Sequence, residues 1–314
     1  MLHGGPMNAL KGIALQVGAT FLFTIMSALV RIVSDHIPTG EIVFSRSFFA
    51  LFPLLALLAW RGEIGAAVRT ANPLGHVARG TIGVCAMGLS FAALARIPLA
   101  DATAIGFAAP LLTVMLAALL LRERVQLYRW AAVVVGLGGV VVMLWPHMHG
   151  SFDTPGHMFG ALYALMAAAF TAGAMVQVRR LTQTETTASI VFYFQALAAL
   201  AGLATAGWGW VLPSGREGLL LLTIGFIGGV GQILLTESYR YAPASVVAPF
   251  AYSAMLWSLL LGFILFAEMP PLLVLLGGAI VIAAGLFVIW RERQLGIDRT
   301  REEAATTPPA APAP

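Results

Sequence analysis

The chain has 314 residues, 59% of them apolar and only 10% charged, with a mean hydropathy of +0.88. Soluble domains are only about 45–50% apolar, so this composition excludes a soluble globular enzyme and describes an integral membrane protein. The net charge of +4 comes from arginines that stand singly between apolar runs, where they mark topology and not a nucleic-acid partner, and the single cysteine, Cys85, excludes a disulfide framework.

A helix needs about 20 mostly apolar residues to cross the hydrocarbon. That window predicts ten spans, near 9–32, 40–60, 74–95, 98–121, 127–145, 158–178, 187–207, 217–239, 243–266 and 271–290. The first follows Lys11, but its core is too long for a signal peptide and no small-residue cleavage site follows, so it is expected to be retained. On it Gln16, Thr20, Thr24 and Ser27 fall on one narrow face, which predicts a polar interior. The competing reading is that the hydroxyls bond their own preceding carbonyls and ease helix packing, while an amide such as Gln16 is costlier to leave unpaired.

The second span carries Arg46 about one and a half turns in, where a cation needs a partner. Glu41, Asp35 and Asp101 are all predicted near the same outer surface, which makes an ion pair the expected arrangement and a substrate carboxylate the alternative. On the fourth span Thr103, Phe107 and Pro110 share a face, and Pro110 frees a backbone carbonyl suited to a substrate amine. The stretch 147–157 gathers Gly, Pro, Asp and Ser and is predicted to connect two halves. Its His147, His149, His157 and Asp153 match no strong zinc spacing, and neither a metal nor another cofactor is expected.

The sixth span presents Tyr163, Met166, Phe170 and Gln177 on one side; the eighth presents Gln232, Thr236 and Tyr239; the ninth adds Tyr252 and Trp257. Aromatic rings at helical spacing ordinarily pack, and that reading competes with ligand contact for Phe170 and Trp257, whereas Tyr163 and Tyr252 carry hydroxyls that need partners. The tail 291–314 is charged, then rich in Ala, Pro and Thr, and is expected to be a disordered cytoplasmic end.

A shift of 145 residues lays Pro98 on Pro243, Glu123 on Glu268 and Trp145 on Trp290. The chain therefore divides into a first repeat over 8–146 (helices 1–5), a periplasmic connection over 147–157 and a second repeat over 158–290 (helices 6–10). Five crossings per repeat force the second copy into the membrane in the opposite sense. The expected fold class is an all-α integral membrane protein of two inverted five-helix repeats, an arrangement characteristic of secondary transporters. All but four of the eighteen Lys and Arg residues fall on the side of the N-terminus (Arg31, Arg96 and Arg216 lie opposite and Arg46 within a span), so both termini are expected in the cytoplasm and the protein in a bacterial-type inner (plasma) membrane. Glu123 and Glu268 are expected as structural or gating charges, each capping the helix that follows it; Pro270 and Pro271 suit the opening of the tenth. Pro110 overlays Met255 while Pro249 lies earlier, so the two prolines do not mark equivalent hinges.

Four stretches resemble one family: GEIVFSRSFFALFPL at 40–54, DATAIGFAAPLLTVMLAALLLRE at 101–123, SVVAPFAYSAMLWSLLLGFILFAEMP at 245–270 and LGGAIVIAAGLFVIWRER at 276–293. They resemble the ten-helix drug/metabolite transporter superfamily, specifically two tandem EamA-type domains. The resemblance implies a basket of ten helices whose central cavity is lined by helices 1, 3, 4, 6, 8 and 9, with 5 and 10 peripheral. The fifth span from Trp130 to Trp145 and the tenth from Leu272 to Trp290 fit that role, since neither holds a hydroxyl, amide or charged side chain.

It further implies an alternating-access carrier that exports small amphipathic metabolites, with amino acids, aromatic ones in particular, as the resemblance-based substrate. Uptake of S-adenosylmethionine or a similar cofactor is the alternative carrier reading. A passive channel is the alternative of another class, and its polar rows should continue through the membrane. The proton antiporters of the small multidrug-resistance type rely on a buried first-helix glutamate where this chain offers Gln16, which favours neutral or zwitterionic substrates. No H-E-x-x-H, G-x-S-x-G or P-loop occurs, so no enzyme is expected. The expected partners are a small molecule and the lipid bilayer, with a monomer preferred over a dimer, since small residues such as Gly225 and Gly229 are expected to serve close helix approach.

Overall fold

The computed structural model describes residues 9–120, 126–148, 156–242 and 244–294; Glu123, most of the 147–157 connection and the chain beyond 294 lie outside the described residues. All regular structure among the described residues is helical. In chain order the helices are α1 (Ala9–Val33), α2 (Thr39–Arg61), α3 (Ile64–Val68), α4 (Pro73–Leu94), α5 (Leu99–Gly106), α6 (Ala108–Leu120), α7 (Leu127–Met148), α8 (His157–Leu181), α9 (Thr187–Ala204), α10 (Gly215–Tyr241), α11 (Ala244–Val247), α12 (Ser253–Phe266) and α13 (Leu272–Gln294). Ten of the resulting helical segments are long and apolar enough to cross a membrane, as the sequence predicts; α5 and α6 together make the fourth, and a 3-10 turn at Ala248–Tyr252 leads α12 into the ninth.

Local chemistry sets the ends. Asn72 caps α4 by accepting the Gly75 N–H ahead of Pro73, whose missing N–H is no loss in a first turn. Ser214 and Glu217 form a reciprocal capping box at the start of α10. Gly62, at φ 68°, closes α2 with its N–H on the carbonyls of Ala59 and Leu58.

The packing repeats itself when the halves are exchanged. α1 lies along α10 as α8 lies along α4, and α7 pairs with α13 and α2 with α9. In the α7–α13 pair the backbones touch: a Cβ on Gly139 would come 2.8 Å from the Gly277 carbonyl oxygen, and one on Gly277 2.5 Å from that of Gly139. The 145-residue offset carries Gly139 to Ala284 and Ala132 to Gly277, and Ala132 and Ala284 do pack together. Without water to expel, close approach of this kind is what holds membrane helices together. Large apolar side chains such as Val134, Val141, Leu200, Phe226 and Leu256 point outward, and Trp60, Trp145, Trp208 and Trp290 are exposed near helix ends, where an indole suits the lipid–water boundary.

The fourth and ninth spans are both interrupted. Pro110 has no N–H, so the Gly106 carbonyl one turn earlier loses its helical partner, and α5 gives way to α6 at Phe107. In the ninth span Pro249 opens the 3-10 turn, and α-helix resumes only at Ser253. The prolines sit at different registers, yet the interruptions coincide: a helix-interior proline disturbs the turn before it, and a proline at a turn's start shapes the residues after it. The expectation that the hinges are inequivalent is thereby corrected. Phe107 and Tyr252 are counterparts under the offset, and their rings meet edge to face at 5.1 Å. Counterparts in mutual contact place the pseudo-two-fold axis between them.

Candidate functional site

Two polar neighbourhoods flank that axis. The first is a cavity of about 90 Å³ between α4, the α5–α6 break and α8, lined by Ser90, Ala102, Gly106, Ala164, Ala168 and Thr171 among others. Its walls are mostly alanine, and the polar groups converge: the hydroxyls of Ser90 and Thr171 carry no hydrogen bond among the described residues, and Gly106 supplies the carbonyl freed by Pro110. Ligand pockets run to about 300–1,000 Å³, so this space must widen to admit a metabolite.

The second neighbourhood joins α1 to the ninth span. Thr20 Oγ1 lies 2.8 Å from Ser253 Oγ and also donates to the Val17 carbonyl, while the Tyr252 hydroxyl packs over Gly285 of α13. Trp257 stands edge-on to Phe21 at 5.1 Å, and its indole N–H is buried with no partner among the described residues.

The remaining residues singled out from sequence are dispersed. Gln16 is 2% exposed and accepts from the Ser238 hydroxyl of α10 at 3.0 Å, a helix–helix contact. Thr24, Thr103 and Thr236 donate to the carbonyls of Thr20, Leu99 and Gln232 within their own helices. Tyr163 lies near the start of α8 under the Arg96 guanidinium, 5.1 Å from its ring centroid. Phe170, Gln177 and Gln232 are half-buried and Pro110 is exposed. None of these lines the cavity.

Charged residues also depart from expectation. Arg46 has no carboxylate partner among the described residues; its Nη1 donates to Gln195 Oε1 at 2.6 Å and its Nε is buried unpaired. Glu41, five residues earlier, lies about 140° round the helix and instead accepts the Val211 N–H at 3.2 Å. Arg79, which the sequence offered only as a topology charge, lies over the Phe194 ring at 4.3 Å with Nε and Nη1 buried and unpartnered. Each cation in the membrane interior costs about 2.5–3.5 kcal/mol.

Glu268 does not cap α13. The Val274 and Leu275 N–H groups in the first turn of that helix go to the Pro271 carbonyl, and both carboxylate oxygens of Glu268 take the guanidinium fork of Arg31, Nη1 to Oε2 at 2.6 Å. A fork gives a half-dry carboxylate two charge-assisted bonds, more than uncharged N–H groups offer. The pair ties the end of α1 to the end of the ninth span.

At the opposite end of the bundle, Glu185 accepts from the Thr70 hydroxyl and from the N–H groups of Ala71 and Asn72 at 2.8 Å, with His76 at 3.5 Å. Burial pushes its carboxyl up, but these donors together outweigh that and hold it at about 2. Ser189 completes the cluster, yet serine and carboxylate both address His76 Nε2 and leave Nδ1 unpartnered, so the geometry is a staple between α4 and α9 and not a nucleophilic triad.

Residues 10–145 and 158–291 each match the EamA-like transporter family. The chain is 34% identical over 276 residues to the pseudopaline exporter CntI of Pseudomonas aeruginosa, covering 87% of this chain and 94% of that one. It is 29% identical over 291 residues to the S-adenosylmethionine uptake transporter of Rickettsia felis, covering 91% and 96%. A solved crystal structure superposes with a TM-score of 0.64 at 22% identity, over 91% of this chain and 99% of the other, and shares the fold.

Proposed function

The chain belongs to the EamA-like transporter family, and from that premise we propose that it is a secondary carrier that moves a small amphipathic metabolite outward by alternating access between its two halves. The observation that carries this reading is the small cavity beside the α5–α6 break, where two free hydroxyls and a proline-freed carbonyl converge. A carbonyl and hydroxyls suit the ammonium of an amino acid or amino-acid derivative. The named relatives widen the substrate beyond the aromatic amino acids that the family resemblance implied.

In the carrier's cycle the cavity widens toward one face while the other stays sealed. The Arg31–Glu268 pair, which joins α1 to the ninth span at one end, is the described contact best placed to break in that step. Small side chains let the helices part without leaving bulky groups in the path.

Export is preferred because the relative at 34% identity is named an exporter. Uptake of S-adenosylmethionine remains the second reading, favoured by the likeness to the Rickettsia felis carrier over nearly the whole chain. Counterflow in proteoliposomes decides between them: labelled amino acids that exchange against an unlabelled internal pool support the first, and exchange restricted to S-adenosylmethionine replaces it. Flux that neither saturates nor responds to solute on the far side overturns both in favour of a channel.

A further inference from the structure

We propose that Arg46 and Arg79 together form a site for an organic carboxylate inside the membrane, which rests on the carrier reading and names the acidic end of its substrate. Both side chains converge on consecutive residues of α9: Arg46 Nη1 reaches Gln195 Oε1 at 2.6 Å, and the Arg79 guanidinium lies 4.3 Å over the Phe194 ring. They come from α2 and α4, two helices that touch one another and that both pack on α9. Two like charges are therefore held on neighbouring residues of one helix within the bundle.

Nothing on the described chain neutralises them. No carboxylate among the described residues forms an ion pair with either arginine, whereas Glu268, Glu217 and Glu237 at the helix ends each pair with Arg31, His36 or Arg61. Three guanidinium nitrogens, Arg46 Nε, Arg79 Nε and Arg79 Nη1, are buried and donate to nothing. Arginine does not discharge by losing its proton, so an anion is the ligand that relieves both the uncompensated charge and the missing hydrogen bonds at once. A guanidinium N–H pair matches the two oxygens of a carboxylate, and a second guanidinium closes the far side. Gln195 and Phe194 fix the two side chains from behind, as a binding site requires of its ligating groups.

α4 also carries Ser90 of the cavity, on its later turns. Ser90 lies eleven residues beyond Arg79, about 16 Å along the helix axis, so one substrate reaches both places only if it is elongated, with its carboxylate on the arginines and its ammonium at the hydroxyls and the Gly106 carbonyl.

The test is thermal unfolding of the purified full-length protein in detergent at constant ionic strength, with acid and amide probes in pairs: succinate against succinamide, glutamate against glutamine, and chloride and inorganic phosphate as further anions. The expected result is a higher unfolding temperature with at least one acid and none with its amide. Arg79→Gln and Arg46→Gln each weaken that response at least about tenfold, because a charged partner is lost. Arg79→Lys retains part of it. Removing an unneutralised cation also makes the ligand-free protein melt higher, whereas a purely structural arginine stacked on Phe194 makes it melt lower when lost.

Equal shifts with acid and amide, no shift with any acid, or full reproduction by chloride or phosphate alone overturn the proposal. So does an Arg79→Gln protein that melts lower and keeps the acid response. Counterflow separates the two readings: exchange of a neutral solute with no acid-specific stabilisation removes the arginine site and leaves the carrier standing.

Discussion

α1 and α8 hold equivalent places in the two halves and use them in opposite ways. A Cβ at Gly12 of α1 would meet the Ala242 Cβ at 2.7 Å and one at Gly160 of α8 would meet Ile97 Cγ2 at 2.6 Å, and Ala242 and Ile97 are themselves counterparts. Counted from those glycines, Gln16, Thr20 and Thr24 correspond to Ala164, Ala168 and Ala172. The Gln16–Thr24 stretch of α1 is shut against α10 and the ninth span, the Thr20 and Thr24 hydroxyls satisfied by a carbonyl or another hydroxyl. The alanine face of α8 borders open space. Polarity in a membrane helix thus marks where helices are fastened together, and small apolar residues mark where they leave room.

The most severe way to break that comparison is to fill the space. Ala164→Leu places a branched side chain into a cavity of about 90 Å³, and counterflow should fall to background while the fold loses about 1–3 kcal/mol from overpacking. Normal flux in a correctly inserted Ala164→Leu protein would show that the α8 face is not the path.

Breaking the Arg31–Glu268 pair comes next. Both side chains are about one-fifth exposed, so solvent screening limits the stability cost of Arg31→Gln to about 1 kcal/mol, with a larger effect on the rate of exchange. The reversed pair, Arg31→Glu with Glu268→Arg, should recover most of the exchange; no recovery would reduce the contact to packing.

Hydroxyl deletions sharpen the contrast directly. Thr171→Val should lower flux about three- to tenfold by removing a free hydroxyl of about 1 kcal/mol, whereas Thr20→Val should change flux less than about twofold, since that hydroxyl serves its own helix and Ser253. The reverse order would move the site to α1.

The smallest effect is on acid stability. Glu185 is held below its unfolded value of 4.5, at about 2, so its contribution is fully present above the unfolded value and is lost as pH falls through the folded one. The unfolding temperature should therefore drop between about pH 4.5 and about pH 2, and Glu185→Gln should flatten that part of the profile; an unchanged profile would show that the staple between α4 and α9 carries no stability.

Most of the fold is legible in the sequence because the bilayer demands long apolar helices, and each of the ten predicted spans overlaps a helix in the structure. The break at Phe107 is legible too, through Pro110. Its partner at Tyr252 is not, because Pro249 acts on the residues after it. The Arg31–Glu268 pair spans 237 residues, and no local pattern announces such a contact. Ser90 and Thr171 carry no signal because most helical hydroxyls return to their own backbone, and whether a given one does is decided by neighbouring helices. Arg79 was legible as a charge but not as a buried one, since six residues from the helix start is within reach of the interface for a snorkelling side chain.

The most direct measurement is thiol accessibility across the membrane. In a Cys85→Ala background, Thr171→Cys should react with an impermeant thiol reagent from either face in turn and become protected when transported solute is present, while Thr24→Cys stays unreactive. Labelling of position 171 from one face only, or stronger labelling at position 24, would contradict a chamber that opens alternately beside α8.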